Sequence, residues 1–241
     1  MINTLKADIF RIIKGSLCVY SLLGLMILGI LFSLLGSNNS TATEMVQSGL
    51  SNSALLLPIF LTNILMVAWG HEYSYRVVNN ALIAGMQRST FFLTKTFLTF
   101  LLVIVFIATY VITLMIATLI IKGGFPILPS LKIVLIQIPL YLAGSSIGIL
   151  LFNVIHVPYV SVAAFISIAL IGDSIISNIV STYFPNLDYV LDTLLFSNLR
   201  NLVDLSVVSS EYLWTALSSG VIYAVVALLI SFNTFSKREF K

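Results

Sequence analysis

The chain has 241 residues, of which 59% are hydrophobic and only 9% are charged, and its net charge is +3. A soluble domain carries about a quarter charged residues, so the composition excludes an ordinary soluble protein and indicates a polytopic membrane protein. The single cysteine, Cys18, excludes a disulfide framework and a metal site built on cysteine.

Long apolar runs without alternation predict transmembrane helices, because each run can cross a hydrocarbon core of about 30 Å. We therefore predict an all-α membrane protein with six spans, forming a single domain over residues 1–241. The predicted spans are Ser16–Gly36, Ala54–Gly70, Thr96–Ile121, Leu131–Phe152, Val157–Ile179 and Leu213–Phe232.

The first of these runs exceeds the roughly 7–15 residues of a signal-peptide core, so we expect it to remain in the protein as a span. Small residues follow it in "STATEM", and cleavage there is the alternative.

The distribution of Lys and Arg predicts the orientation of the bundle. Six spans place both termini on one side, and cytoplasmic loops carry an excess of basic residues. With the termini cytoplasmic, nine basic residues lie inside and three lie outside. The three are Lys122, Lys132 and Arg200. The nine are Lys6, Arg11, Lys14, Arg76, Arg88, Lys95, Lys237, Arg238 and Lys241.

Two amphipathic segments accompany the spans. In "INTLKADIFRIIK", the apolar residues Leu5, Ile9, Ile12 and Ile13 share one helical face, which predicts a helix in the inner headgroup layer. A simple basic anchor for the first span is the alternative. In "PNLDYVLDTLLFSNLRNLVDL", leucines recur at helical spacing among three aspartates, which predicts an outer, partly embedded or re-entrant element between spans five and six. An extracellular helix covering the bundle is the alternative.

Motifs for catalysis and nucleotide binding are absent from the sequence. There is no G-x-x-x-x-G-K-[ST] phosphate loop, no G-x-S-x-G, no H-E-x-x-H and no C-x-x-C. Two widely separated histidines argue against a metal site. We expect a chain that is not itself an enzyme and that holds no cofactor or metal.

Asp173 is the one acid inside a predicted span, about 24 Å from the start of span five. An acid at membrane depth usually faces protein or water, so Asp173 is a candidate contact for a cationic substrate. Alternatively, span five ends near Gly172 and Asp173 caps the outer element.

The connection between spans two and three is much longer than a crossing requires. Residues 74–87 contain no proline, and Gly85 near their end predicts a helix stop. We expect a short cytoplasmic helix, with Glu72 complementing the positive end of its dipole. Arg88 and Lys95 would extend to the inner interface. The predicted apolar strip is Val77, Val78, Leu82 and Ile83.

The stretch "EYSYRVVNNALIAGMQRSTFFLTK" resembles the segment that follows span two in ABC-2 type transporter permeases. In that family a Glu is followed by a short helix, a small-residue and Arg motif, and a Lys that opens span three. The chain departs from the family pattern at one place. Where the family often has Gly-Thr, this chain has Val77-Val78 or Val78-Asn79. The matching residues are Glu72, Asn79, Leu82, Gly85, Arg88 and Lys95.

The resemblance implies a mechanism and partners. Within the family the chain is similar to the small permeases of peptide exporters, including lantibiotic immunity transporters and exporters of phenol-soluble modulins. It implies a multi-pass protein of a bacterial plasma membrane, a second permease copy or related permease, and a separate ATPase subunit that binds ATP and Mg²⁺. The residues implied to couple to the ATPase are Glu72, Tyr75, Arg76, Asn79, Asn80, Leu82, Ile83 and Arg88.

Three functions are therefore distinguished. The first is the permease subunit of an exporter of amphipathic or toxin-like peptides, with lipid and peptide as partners and no nucleic acid. The second is a scaffold or peptide-sequestering immunity protein, which needs no ATPase. The third, a membrane-embedded enzyme, requires two polar groups at matching depth, and Asp173 alone does not supply them.

Overall fold

A computed structural model describes residues 2–36, 41–74, 77–124, 127–155, 157–205 and 207–238. These residues form helices and turns, with no β-strand among them. Six of the helices are long and apolar enough to cross a membrane, which confirms the predicted number of spans. The spans are α2 (Ser16–Leu35), α3 (Ala42–Ser74), α5 (Arg88–Lys122), α6 (Ile127–Val154), α7 (Pro158–Tyr183) and α9 (Ser210–Lys237).

Three shorter helices complete the described part of the chain. They are α1 (Ile2–Lys14), α4 (Val77–Ile83) and α8 (Leu195–Asn201), and a 3₁₀ segment, Pro185–Thr193, precedes α8. A single residue, Gly15, separates α1 from α2 in an extended conformation, so the two helices cannot form one continuous rod.

Most spans are longer than the hydropathy pattern predicts, and capping residues set several of their ends. α3 begins at Ala42, well before the predicted Ala54, because Thr41 and Glu44 form a reciprocal capping box. α5 begins at Arg88, not Thr96, and it ends where Gly123 adopts a left-handed φ of 76°. Polar first and last turns therefore extend these helices beyond their apolar runs.

The core lies between α3 and α6, the most buried of the six spans, whereas α7 and α9 are the least buried. Leu57, Leu61 and Leu65 of α3 are almost fully buried, as are Leu140 and Phe152 of α6. Gly148 of α6 brings these helices together, since a Cβ there would lie 2.2 Å from Leu65 Cδ1. The outer spans leave large apolar side chains exposed, as expected for helices that face lipid.

Two of the spans contain a π-helical turn, at Met66–Gly70 in α3 and at Ile168–Gly172 in α7. A π turn shifts the residues that follow it around the helix axis, and such turns are frequent at functional sites. The first ends two residues before Glu72, and the second ends directly before Asp173. Both acids therefore follow a local change in helical phase.

The segment between α7 and α9 enters the bundle. The 3₁₀ segment has no buried residue, but Leu195, Phe196 and Leu199 of α8 are buried. Phe196 packs edge-on against Phe165 of α7, with ring centroids 6.4 Å apart, and Gln137 Nε2 of α6 donates to the Leu199 carbonyl at 2.9 Å. α8 is thus packed into the bundle, whereas the 3₁₀ segment before it stays at the surface.

Candidate functional site

Four charged side chains from three helices meet at one end of the bundle, and we call them the charged cluster: Asp8, Arg11, Glu72 and Lys95. Lys95 Nζ of α5 donates to Glu72 Oε1 of α3 at 2.8 Å and to Asp8 Oδ2 of α1 at 2.8 Å. The Arg11 guanidinium also donates to Glu72 Oε1, and its Nη2 lies 3.6 Å from Asp8 Oδ1. The two negative and the two positive charges of the cluster therefore cancel.

Two side chains of the charged cluster are buried, and this strengthens its effect on how the three helices are arranged. The Glu72 side chain is 0% exposed and that of Lys95 is 4% exposed. Ions at such sites lose most of their hydration, so each depends on the others. Removing one member of a buried pair typically costs about 3–5 kcal/mol. The charged cluster therefore fixes α1 and the adjoining ends of α3 and α5 relative to one another.

The charged cluster borders a cavity of about 120 Å³. Glu72 and Lys95 line it on one side, and Val77 and Ala81 of α4 line it on the other. Most of the cavity lining is apolar, and the charged cluster provides its charged side chains. Glu72 Oε2 is buried and makes no hydrogen bond to the described residues. The cavity thus places α4 directly beside the ion-paired carboxylate.

α4 has an inner and an outer face. On the inner face Val78 is 1% exposed, and Ala81 and Leu82 pack partly buried against the core. On the outer face Asn80 is exposed and Ile83 is 84% exposed. The helix is followed by Gly85 at φ 87°, which turns the chain toward α5. α4 therefore packs on the bundle through its inner face, and its outer face exposes a small surface that is partly polar and partly apolar.

The same end of the bundle holds the last residues of α9. Arg88 Nη1 donates to the Arg238 carbonyl at 3.0 Å and also to the Ser236 carbonyl. The Arg238 guanidinium lies 4.4 Å from the ring centroid of Tyr73, whose hydroxyl donates to Asn153 Oδ1 at 2.6 Å. The residues flanking α4 are thus tied to α6 and α9.

An aromatic cluster supports this end from inside the bundle. Trp69 is fully buried, its Nε1 donates to Thr99 Oγ1 at 3.1 Å, and its ring contacts Phe92 and Phe235 at centroid distances of 5.4 and 6.3 Å. Phe91 stacks on Phe235 at 5.8 Å. The α3, α5 and α9 ends are therefore packed by rigid rings as well as joined by ions.

Several predictions for this region are wrong in detail. Glu72 does not lie at the start of the short helix, because α3 continues through it to Ser74. Lys95 does not extend outward as a free cation, because the carboxylates of Asp8 and Glu72 hold its buried ammonium group. Ile83 does not join Val78 and Leu82 on the apolar face, since it is one of the most exposed side chains of the chain.

Other predicted residues are placed as follows. Asn79 and Leu82 are partly buried, Asn80 is exposed and Arg88 is partly buried. Tyr75 and Arg76 lie outside the described residues, as do the side chains of Leu5 and Ile13. Among the described residues, no three His, Cys, Asp or Glu side chains are grouped as a metal site would require.

Asp173 lies at a different place, where α7 meets α8. Its Oδ2 accepts a hydrogen bond from the Ser197 backbone N–H at 2.7 Å. The alternative in which span five ends near Gly172 is wrong, because the helix continues through Asp173 to Tyr183. Asp173 nevertheless caps the following element, as that alternative also expected, and it does so from within a continuous span. Asp173 is thereby engaged in holding α8.

Sequence reasoning missed the roles of Asp8 and Arg11. Asp8 is the only acid in an otherwise basic amphipathic segment, which is a signal for a specific partner. Lys95, the residue directly before the predicted third span, is the second signal, since a cation that is buried there requires an acid.

A comparison with protein-family models finds no family that matches the chain, and a comparison with curated protein sequences finds no match. The site is therefore interpreted from its own geometry.

Proposed function

We propose that the chain is the transmembrane permease subunit of an ATP-driven exporter of the ABC-2 type. A separate ATPase subunit, which binds ATP and Mg²⁺, supplies the energy, and α4 is the coupling helix that contacts it. The proposal takes up the resemblance of the Glu72–Lys95 segment and adds the geometry of α4.

The outer face of α4 is the observation that carries the proposal. Ile83 is 84% exposed beside the exposed Asn80, on a helix outside the apolar spans. A single exposed isoleucine is common on protein surfaces, but here the helix behind it is fixed by Val78 and bordered by the charged cluster. A rigidly held, mixed surface of this kind suits contact with a partner and transmission of its movement to α1, α3 and α5.

The orientation belongs to the proposal. Arg11, Arg88, Lys95 and Arg238 all lie at the end that carries α4, and this excess of basic residues supports a cytoplasmic location for that end. A bacterial plasma membrane follows from the family resemblance. α4 would then be accessible to a soluble ATPase. The re-entrant element with α8 would lie at the outer side.

The substrate and assembly follow the same family pattern. Two copies of the chain, or one copy and a related permease, would form the transport path with two ATPase subunits. An amphipathic peptide suits a path between permeases, because its apolar face can stay against lipid or apolar side chains. Asp173 is less suited to contact it, because its carboxylate already caps α8.

The test is purification of the tagged chain in mild detergent, with quantification of any co-purifying ATPase. The informative variant is Ile83→Asp, which places a charge in the outer face of α4. The matched control is Val207→Asp, since Val207 is also highly exposed, at 82%, but lies at the opposite end of the bundle. Glu72 and Arg88 are poor test sites, because their substitution disturbs contacts within the chain.

We expect an ATPase at near-equal amount with the wild type and with Val207→Asp, and at least tenfold less with Ile83→Asp. We also expect amphipathic peptides to stimulate ATP hydrolysis by the complex. Absence of any ATPase, even after crosslinking before lysis, would contradict the proposal and favour the scaffold or immunity protein. Equal ATPase recovery with both aspartate variants would remove α4 as the docking surface.

A further inference from the structure

The two faces of α1 have different chemistry. Asp8, Arg11 and Ile12 lie about 140° to 240° around the helix from Lys6, and they face the bundle. Ile12 is 2% exposed, and Asp8 and Arg11 belong to the charged cluster. On this side α1 is ion-paired and packed against its own chain, although the Arg11 side chain remains 39% exposed.

The opposite face carries a stripe of three exposed side chains at four-residue spacing, Lys6, Phe10 and Lys14. Both lysines are exposed and Phe10 is 64% exposed. Lys14 Nζ lies 5.4 Å from the Phe10 ring centroid. The only acid of the helix, Asp8, is on the other face, bound to Lys95. The stripe is therefore cationic and contains a large exposed aromatic ring.

The position of α1 places this stripe where lipid headgroups lie. Gly15 interrupts the helix between α1 and the apolar span α2. Asp8 contacts Lys95 of α5, and Arg11 contacts Glu72 at the end of α3. α1 thus crosses the end of the bundle at the boundary of the apolar region. Aromatic rings and lysines at this boundary insert into the interface and contact phosphate groups, respectively.

We propose that the Lys6–Phe10–Lys14 stripe binds anionic phospholipid headgroups and thereby stabilises α1 on the charged cluster. Charge complementarity selects anionic over zwitterionic lipid, and Phe10 provides the apolar contact that both lipids share. Because Asp8 and Arg11 are on the same helix, headgroup binding on one face favours ion pairing with Glu72 and Lys95 on the other. The proposal goes beyond the export function and does not depend on it.

The first experiment measures the unfolding midpoint of the purified full chain in detergent during titration with phosphatidylglycerol or with phosphatidylcholine of the same acyl chains. We expect a larger rise with phosphatidylglycerol for the wild type, and we expect the excess to shrink from 0.15 M to about 1 M salt as screening increases. In Lys6→Gln/Lys14→Gln the half-maximal phosphatidylglycerol fraction should rise by roughly fivefold per lysine. Lys6→Arg/Lys14→Arg should restore the wild-type response.

Lys122→Gln is the matched control, because Lys122 is exposed at the opposite end of the bundle and should leave the lipid response unchanged. Hydrogen exchange of residues 2–14 is the second readout, and phosphatidylglycerol should slow it in the wild type but not in the glutamine variant. An equal response to the two lipids, or a full phosphatidylglycerol response in the glutamine variant, would overturn the proposal. Loss of ATPase association would leave these results unaffected, so the two proposals are tested separately.

Discussion

Lys95 Nζ lies 2.8 Å from Glu72 Oε1, and both side chains are almost completely buried. This ion pair joins the last turn of α3 to the second turn of α5, on either side of the connection that contains α4. Asp8 and Arg11 complete its neutralisation from α1. Such a pair is not by itself a source of added stability, because a packed apolar pair is often equally stable.

A double-mutant cycle tests this pair. Glu72→Gln and Lys95→Met should each destabilise the protein, by about 3–5 kcal/mol, because each leaves a buried charge without its main partner. The double variant should be more stable than the sum of the two effects predicts, by about 0.5–3 kcal/mol. Equilibrium unfolding in mixed detergent micelles provides the free energies.

Asn80→Ala is the control for this cycle, since Asn80 is exposed on the outer face of α4 and its loss should change stability by less than about 0.5 kcal/mol. Strict additivity of the Glu72 and Lys95 effects would show that the two side chains do not interact as the structure indicates.

The turn after α4 depends on Gly85. Its φ of 87° lies in the left-handed region, and a Cβ there would meet no atom within 4 Å. Backbone strain is therefore the only penalty for substitution. Gly85→Ala should destabilise the turn by roughly 1–2 kcal/mol and speed hydrogen exchange of residues 77–83, whereas Gly85→Asn should be closer to wild type. Identical exchange in the alanine and asparagine variants would argue against this origin.

The number and type of the spans could be predicted from the sequence, because an apolar run of membrane-spanning length without alternation forms a helix. It also located a short helix and its glycine stop between spans two and three. The helix ends were less predictable. Thr41 and Glu44 start α3 in a segment whose hydropathy alone gives no signal, and the capping box acts through local hydrogen bonds.

The candidate site was only partly predictable for a different reason. Glu72 and Lys95 are 23 residues apart and could be recognised as important, but their partners Asp8 and Arg11 lie far earlier in the chain. Nothing local in α1 specifies which span ends it crosses. The outward position of Ile83 likewise depends on which side of α4 the bundle occupies.

Close helix packing gives a third prediction, at Gly29 of α2. A Cβ on Gly29 would lie 3.1 Å from Leu114 N and 3.2 Å from Tyr110 O, both backbone atoms of α5 that cannot rotate away. Gly29→Ala should therefore separate α2 from α5 and destabilise the protein by about 1–3 kcal/mol. The unfolding free energy in mixed micelles is the measurement.

Gly144→Ala is the matched control, because the nearest atom to a Cβ there is Phe196 Cε1 at 3.5 Å, an ordinary contact with a side chain. This variant should be close to wild type. If Gly29→Ala were no less stable than Gly144→Ala, the close approach of α2 and α5 would be wrong.

The cap that Asp173 makes on α8 gives the last prediction. Asp173 Oδ2 accepts from the Ser197 N–H at 2.7 Å, and a charged acceptor typically contributes about 1.5–3 kcal/mol to a hydrogen bond. Asp173→Ala should therefore speed hydrogen exchange of the residue 195–201 amides by roughly tenfold or more, since 1.4 kcal/mol corresponds to a factor of ten. Asp173→Asn keeps an acceptor oxygen and should have a smaller effect.

Asp188→Ala removes an exposed acid from the adjoining 3₁₀ segment and serves as the control. Exchange that is equally fast in Asp173→Ala and Asp188→Ala would mean that general charge near α8, and not the specific hydrogen bond, governs its stability.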